Sequence, residues 1–156
     1  MATARSQKTP AVAPARASPA DQAWALLREL LFAERRRFTE VASAFDLHPA
    51  PAGALMHLDG ESGLPMHEIA ARLACDNSNV TGIVDRLQAR GLVTRLASEQ
   101  DRRVKYIVPT PLGVEVRDAM RKRMARPPAG IERLSISEQR QLRDLLARAA
   151  GRQPLA

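Results

Sequence analysis

Two short runs of this sequence hold the side chains best suited to chemistry, and both suit recognition better than catalysis. From Asp76 to Arg90 the chain reads DNSNVTGIVDRLQAR. Wound at about 100° per residue, Val80, Val84 and Leu87 fall together with Ile83 beside them, a face for a core. The opposite stripe carries Ser78, Gly82, Asp85 and Ala89, flanked by Asn79, Thr81 and Arg86. Small hydroxyl and amide groups can meet base edges in a major groove, and the start of the helix, at Asn77, brings free N–H groups toward phosphate. Gly82 costs a helix about 1 kcal/mol against alanine. At the most outward position it lets backbone approach DNA; a tolerated packing glycine is the competing reading. Asp85 is an anion on that surface, so it is expected to pair with Arg86 or Arg95 rather than to contact DNA.

The second run is Ser98-Glu99-Gln100-Asp101-Arg102-Arg103. An arginine there can enter a minor groove, where the potential is most negative. Asp101, two residues before Arg103, can hold its guanidinium in place. A solvated charge cluster is the competing reading. The chain has no Gly-rich phosphate loop, no GxSxG and no Ser/His/Asp signature, so nothing points to an enzyme or to a cofactor. His48, His57, His67 and Cys75 are dispersed, without an i,i+3 or i,i+4 pair or a CxxC, which argues against a metal site. A lone cysteine also forms no internal disulfide, so a reducing compartment is expected.

The elements that position these runs are legible from caps and periodicity. Asp21 reads as the N-cap of a helix to about Phe45, with Trp24, Leu27, Leu31, Phe38, Val41, Ala42 and Phe45 at helical spacing. At about 37 Å it is longer than internal packing requires. Pro49 and Pro51 open a short helix closed by Gly60, and a third helix runs from Pro65 through Leu73. Asp76 is expected to cap the fourth helix by accepting the N–H of Ser78 or Asn79, and Gly91 stops it. Leu92–Leu96 and Val104–Val108 form a hairpin with a polar tip. Thr110-Pro111 starts a fifth helix that Pro127 and Pro128 end. A Ser135–Glu138 capping box opens the last helix, which carries Leu142, Leu145, Leu146 and Ala149 on one stripe.

The 156 residues carry 24 Lys+Arg against 17 Asp+Glu, a net charge of +7. That excess favours a polyanionic partner. Hydrophobic residues make up 45% of the chain, enough for a packed core. No apolar run approaches the roughly 20 residues that span a bilayer, which predicts a soluble, cytoplasmic chain without a membrane partner. Residues 1–20, with Pro10, Pro14 and Pro19, read as a flexible basic arm.

Helices joined by a tight turn and followed by a basic hairpin make a winged helix-turn-helix, a mainly α fold with a small β-hairpin wing. The stretch Glu68-Ile69-Ala70, then DNSNVTGIVDRLQARGLVTR from Asp76, DRRVKYIV from Asp101 and Thr110-Pro111-Leu112-Gly113, resembles the multiple-antibiotic-resistance regulator (MarR) family of transcription factors. Asn77 and Pro109 depart from the family's usual proline and leucine; Pro109, lacking an N–H, should end the second wing strand. The resemblance implies a repressor that binds double-stranded DNA as a homodimer over a pseudo-palindrome. It implies groove contacts from Ser78, Asn79, Thr81 and Arg86, with Arg103 in the minor groove and Asp101 orienting it. Together with the residues read above, the expected DNA set is Asn77, Ser78, Asn79, Thr81, Gly82, Arg86, Arg95, Asp101, Arg102 and Arg103. It divides the chain into a dimerisation helix at 21–45, a DNA-binding lobe at 46–110 and dimerisation helices at 111–150. Long apolar helices at both ends, with nothing else to cover them, independently favour the dimer. Relatives bind small aromatic acids or phenolics between the dimer helices and the lobe. Trp24, Phe38, Phe45, Met56 and His57 are candidates to line such a pocket, with Arg36 as a carboxylate partner. An effector-independent architectural DNA-binding protein and a metal-responsive regulator are the alternative functions.

Overall fold

The computed structural model describes residues 17–59, 63–97 and 105–153. Its elements are α1 (Pro19–Ser43), α2 (Pro49–His57), β1 (Leu64–Pro65), α3 (Met66–Leu73), α4 (Asn77–Ala89), β2 (Val93–Ala97), β3 (Lys105–Pro109), α5 (Pro111–Met124), α6 (Ala129–Glu132) and α7 (Ile136–Ala149). The chain divides into two compact units, one ending at Glu34 and the other beginning at Arg35, so the boundary falls inside α1.

Helix α1 is capped three residues earlier than the sequence suggests. The cap is the Ser18 hydroxyl, which accepts the Asp21 N–H at 3.2 Å. Asp21 closes the box in return, accepting from the Ser18 N–H at 3.0 Å and hydroxyl at 2.7 Å. Those hydrogen bonds hold the Asp21 carboxyl below its ordinary pKa. Within the first unit Trp24, Leu26, Leu30, Leu31 and Phe32 are exposed. At 100° per residue they spread over an arc of roughly 240°.

The second unit holds the core. Leu55 and Leu58 at the end of α2, Ile69 of α3, Val80, Val84 and Leu87 of α4, Ile107 of β3 and Met120 of α5 are fully buried. The face assigned to the core from the α4 sequence is therefore the buried one, with Ile83 at its edge. Beneath it lies a three-stranded antiparallel sheet in the order β1-β3-β2. Strand β2 pairs from Val93↔Pro109 to Ala97↔Lys105, and β3 ends at Pro109 as its missing N–H requires. The wing strands sit one residue later than expected. Strand β1, pairing Leu64↔Ile107 and Pro65↔Tyr106, went unread because two residues carry no periodicity. The same holds for the four-residue α6.

One knot fixes the sheet to the helices that flank it. Gly91, at φ +65°, ends α4, with its N–H on Gln88 O at 2.8 Å and the Leu92 N–H on Leu87 O at 3.0 Å. Thr110 then caps α5 through the Gly113 N–H at 3.0 Å, while its hydroxyl donates to Gly91 O at 2.6 Å and its N–H to Leu92 O at 3.0 Å. Gly113 lies against that strand start: a Cβ there would stand 1.9 Å from Leu92 O. The Thr-Pro-Leu-Gly motif is thus a steric requirement of the α4–β2–α5 junction.

Helix α7 opens on the expected capping box, Ser135 to Glu138, and closes on Gly151. None of its side chains is fully buried, and Ile136, Leu145 and Leu146 are exposed.

Replacing Gly113 by alanine should destabilise the fold by about 3 kcal/mol, because the clash is with backbone rather than with a yielding side chain. Urea unfolding checks this, and an unchanged midpoint would show that the junction can open.

Candidate nucleic-acid interface

The turn that presents α4 is tight and slightly strained. Ala74 closes α3 in the left-handed region at φ 50°, with its N–H on Ala71 O and the Cys75 N–H on Ala70 O. An alanine there costs about 1 kcal/mol that glycine would not. At the start of α4 the Asp76 side chain makes no cap bond, a correction to the sequence reading. Its carbonyl accepts instead, from Asn79 N at 3.0 Å and Val80 N at 3.3 Å.

Asn77, Ser78, Asn79, Thr81, Gly82, Asp85 and Arg86 are all exposed along α4. The structure therefore brings together, on one open helix face, six of the ten residues proposed for DNA. A Cβ on Gly82 would meet nothing within 4 Å, so no neighbouring element needs the glycine for space. Thr81 turns its hydroxyl back to Asn77 O at 3.5 Å.

Arg95 is anchored from the neighbouring strand. Its Nη2 donates to Asp85 Oδ1 at 2.5 Å, with the arginine side chain 28% exposed and the aspartate 56%. The expected pairing of Asp85 is thus made with Arg95 rather than Arg86. The Arg95 guanidinium, expected to serve DNA, thus joins β2 to α4. Asp101, Arg102 and Arg103 lie outside the described residues.

Several other arginines hold carbonyls and are not spare cations. Arg117 is buried, and donates to Leu58 O at 2.5 Å and to Asp118 at 2.9 Å. Arg121 reaches Met56 O at 2.7 Å and the Asp59 carboxylate, which that bond holds below the usual carboxylate range. Arg72 donates to His57 O at 3.1 Å, and Arg90 to Phe45 O at 2.8 Å and Asp46 O at 2.5 Å.

A cleft of about 530 Å³ opens between the second unit's part of α1 and helices α2, α3 and α4. Phe38, Leu73, Ile83, Pro49, Ala50 and Cys75 give it an apolar wall, and Arg35 and Arg72 stand at its rim. Phe38 is the one residue of the expected ligand set among its lining. Arg36 is exposed and Arg35, one residue earlier, takes the place at the cleft. Met56 and His57 offer their carbonyls to Arg121 and Arg72, and Phe45 stacks under Arg123 at 4.9 Å. Trp24, 56% exposed, belongs to the first unit. Among the described residues no three His, Cys, Asp or Glu side chains group as a metal site. No described helix is long and apolar enough to cross a membrane.

Comparison with known proteins places this geometry. The MarR family model matches residues 45–104. The HTH-type transcriptional regulator YfiV of Bacillus subtilis is 43% identical over 49 residues, a match that spans 31% of each chain. Among solved structures, CouR from Rhodococcus jostii RHA1 bound to p-coumaroyl-CoA is 26% identical with a TM-score of 0.64, covering 84% of this chain and 93% of that one. The Staphylococcus aureus MepR–DNA complex shares the fold at 21% identity and a TM-score of 0.62, over 82% and 96% of the two chains.

Gly82→Ala should raise stability by about 1 kcal/mol, since the methyl meets open space and glycine carries the backbone entropy. A fall in stability on chemical denaturation would show that position 82 is packed. A gain accompanied by weaker DNA binding would mark its backbone as a contact.

Proposed function

We propose that the chain, which the MarR family model matches over residues 45–104, is a cytoplasmic, homodimeric repressor of that family that reads a pseudo-palindromic operator and releases it on binding a small molecule. The observation that carries the reading is the α4 face. It is polar and exposed from Asn77 to Arg86, bare of a side chain at Gly82, and tied to the wing through Arg95. Ser78, Asn79, Thr81 and Arg86 would read base edges, and phosphate would meet the N–H groups at the start of the helix. Arg103, with Asp101 beside it in sequence and Arg102 as its neighbour, would enter the minor groove.

Two observations support the dimer separately. Five large apolar residues of α1 up to Phe32 are exposed, and so are Ile136, Leu145 and Leu146 of α7. Patches of this kind on a folded chain signal a partner surface. The effector is supported by the cleft, whose apolar wall and two rim guanidiniums suit an aromatic acid or phenolic acyl group. CouR, solved with p-coumaroyl-CoA, provides a precedent for that ligand class. Occupancy releases DNA only if the ligand prefers the non-DNA geometry, so its coupling free energy sets the response.

Titration of labelled DNA from upstream of the protein's own gene, beside scrambled DNA at two salt concentrations, tests this. Two chains per site and a clear preference for the upstream DNA are expected. Equal, steeply salt-dependent binding to both would leave an architectural protein. Arg103→Ala should cost about 1–3 kcal/mol of operator affinity, and unchanged affinity would remove the wing from the mechanism. Ala50→Trp, which fills the cleft, should leave operator affinity intact and abolish release by p-coumarate or its CoA ester. Release that persists in this variant would move the effector elsewhere.

A further inference from the structure

The sequence between Asn77 and Ala89 contains one acid, Asp85, and the fold sets it in the outward stripe of α4, one turn beyond the bare Gly82. An anion facing a polyanion is costly unless it has a use. Its Oδ1 is taken by Arg95 Nη2 at 2.5 Å, which neutralises the charge and fixes the rotamer. With the side chain 56% exposed, Oδ2 remains as an oriented acceptor on the face of the helix. Gly82, on the preceding turn, presents no side chain and borders open space, so it does not crowd that acceptor.

We propose that Asp85 is a specificity-determining residue. Its carboxylate, positioned by Arg95, accepts a hydrogen bond from the exocyclic N4 amine of a cytosine in the major groove. A carboxylate has no proton to donate, so guanine O6 and N7 and thymine O4 repel it, whereas cytosine offers only a donor on that edge. Arg95 is a positioning residue here, acting on DNA through Asp85. The proposal rests on the regulator reading above and deepens it by naming a base that the recognition helix selects.

Selection of binding sites from a random duplex library, followed by sequencing, tests it with the full-length chain and with Asp85→Asn. The wild type should select cytosine at one position per half-site, with about a tenfold preference there over guanine or thymine. An amide of the same shape keeps an oxygen for Arg95 and turns an N–H donor toward the base, which suits the two acceptors of guanine, O6 and N7. Asp85→Asn should therefore lose cytosine at that single position in favour of guanine and leave the rest of the motif as it was. Damage to the fold would weaken every position together and switch none. A motif unchanged in Asp85→Asn, or a wild-type motif without a selected cytosine, overturns this proposal alone. A wild type that selects no motif overturns the regulator reading and this one with it.

Discussion

The rest of the second unit depends on how the C-terminal end of α2 is held. A helix ends with carbonyls that have no partner of their own, and here three successive ones are met by arginines: Met56 O by Arg121, His57 O by Arg72 and Leu58 O by Arg117. Arg117 does this from inside the core, only 8% exposed, on the same turn of α5 that buries Met120. A buried guanidinium is costly, and its second contact, with Asp118, offsets part of that cost. Losing the donor would leave a buried carbonyl unpaired as well, at about 1–3 kcal/mol. The position of α2 against α5 therefore has few alternatives. Since α4 packs its buried face against α2, it inherits that position.

Much of the arrangement was legible because the forces that decide it are local. The Ser135–Glu138 box, the Gly91 stop and the Thr110-Pro111 start each satisfy backbone groups within a few residues, so the chain carries the signal at the place where it acts. The amphipathic wheel of α4 placed both its core face and its open face. Other features are set at long range and leave little local trace. Arg117 looks like any helix-surface arginine until Leu58, 59 residues earlier, is brought beside it. Strand β1 exists because Gly63 lets the chain pass close to Ile107 O, and only tertiary contact reveals that approach. At Asp76 the preference for an N-cap carboxylate was right about position and wrong about the atom: the backbone carbonyl accepts the bonds while the side chain stays in solvent. The same division holds in the site. The polar stripe of α4 could be read directly, whereas the rim of the cleft needed the fold to pair Arg35 with Arg72.

Composition alone would overstate the surface available to DNA. The net charge of +7 rests on 24 basic residues, but several guanidiniums in the second unit are oriented onto backbone carbonyls, that of Arg117 from inside the core. Arg37 reaches Met124 O and Arg126 O at the end of α5, and Arg90 holds the α1–α2 connection at Phe45 O and Asp46 O. Arginine suits these tasks because its planar fork reaches several carbonyls at once and stays charged.

Ion pair and steric knot together join helix α4 to strand β2. Helix α4 and strand β2 are joined at one end by the Gly91–Leu92 turn packed on Gly113, and along their length by Asp85 and Arg95. Helix and wing therefore cannot easily be displaced against each other without breaking a bond of 2.5 Å or opening a backbone contact that leaves no room for a methyl group. The cleft touches this unit from its other side, at Ile83 and Cys75, and reaches α1 at Arg35, Phe38 and Thr39. Displacing α4 from that side would therefore carry β2 with it, because the two share the turn and the ion pair.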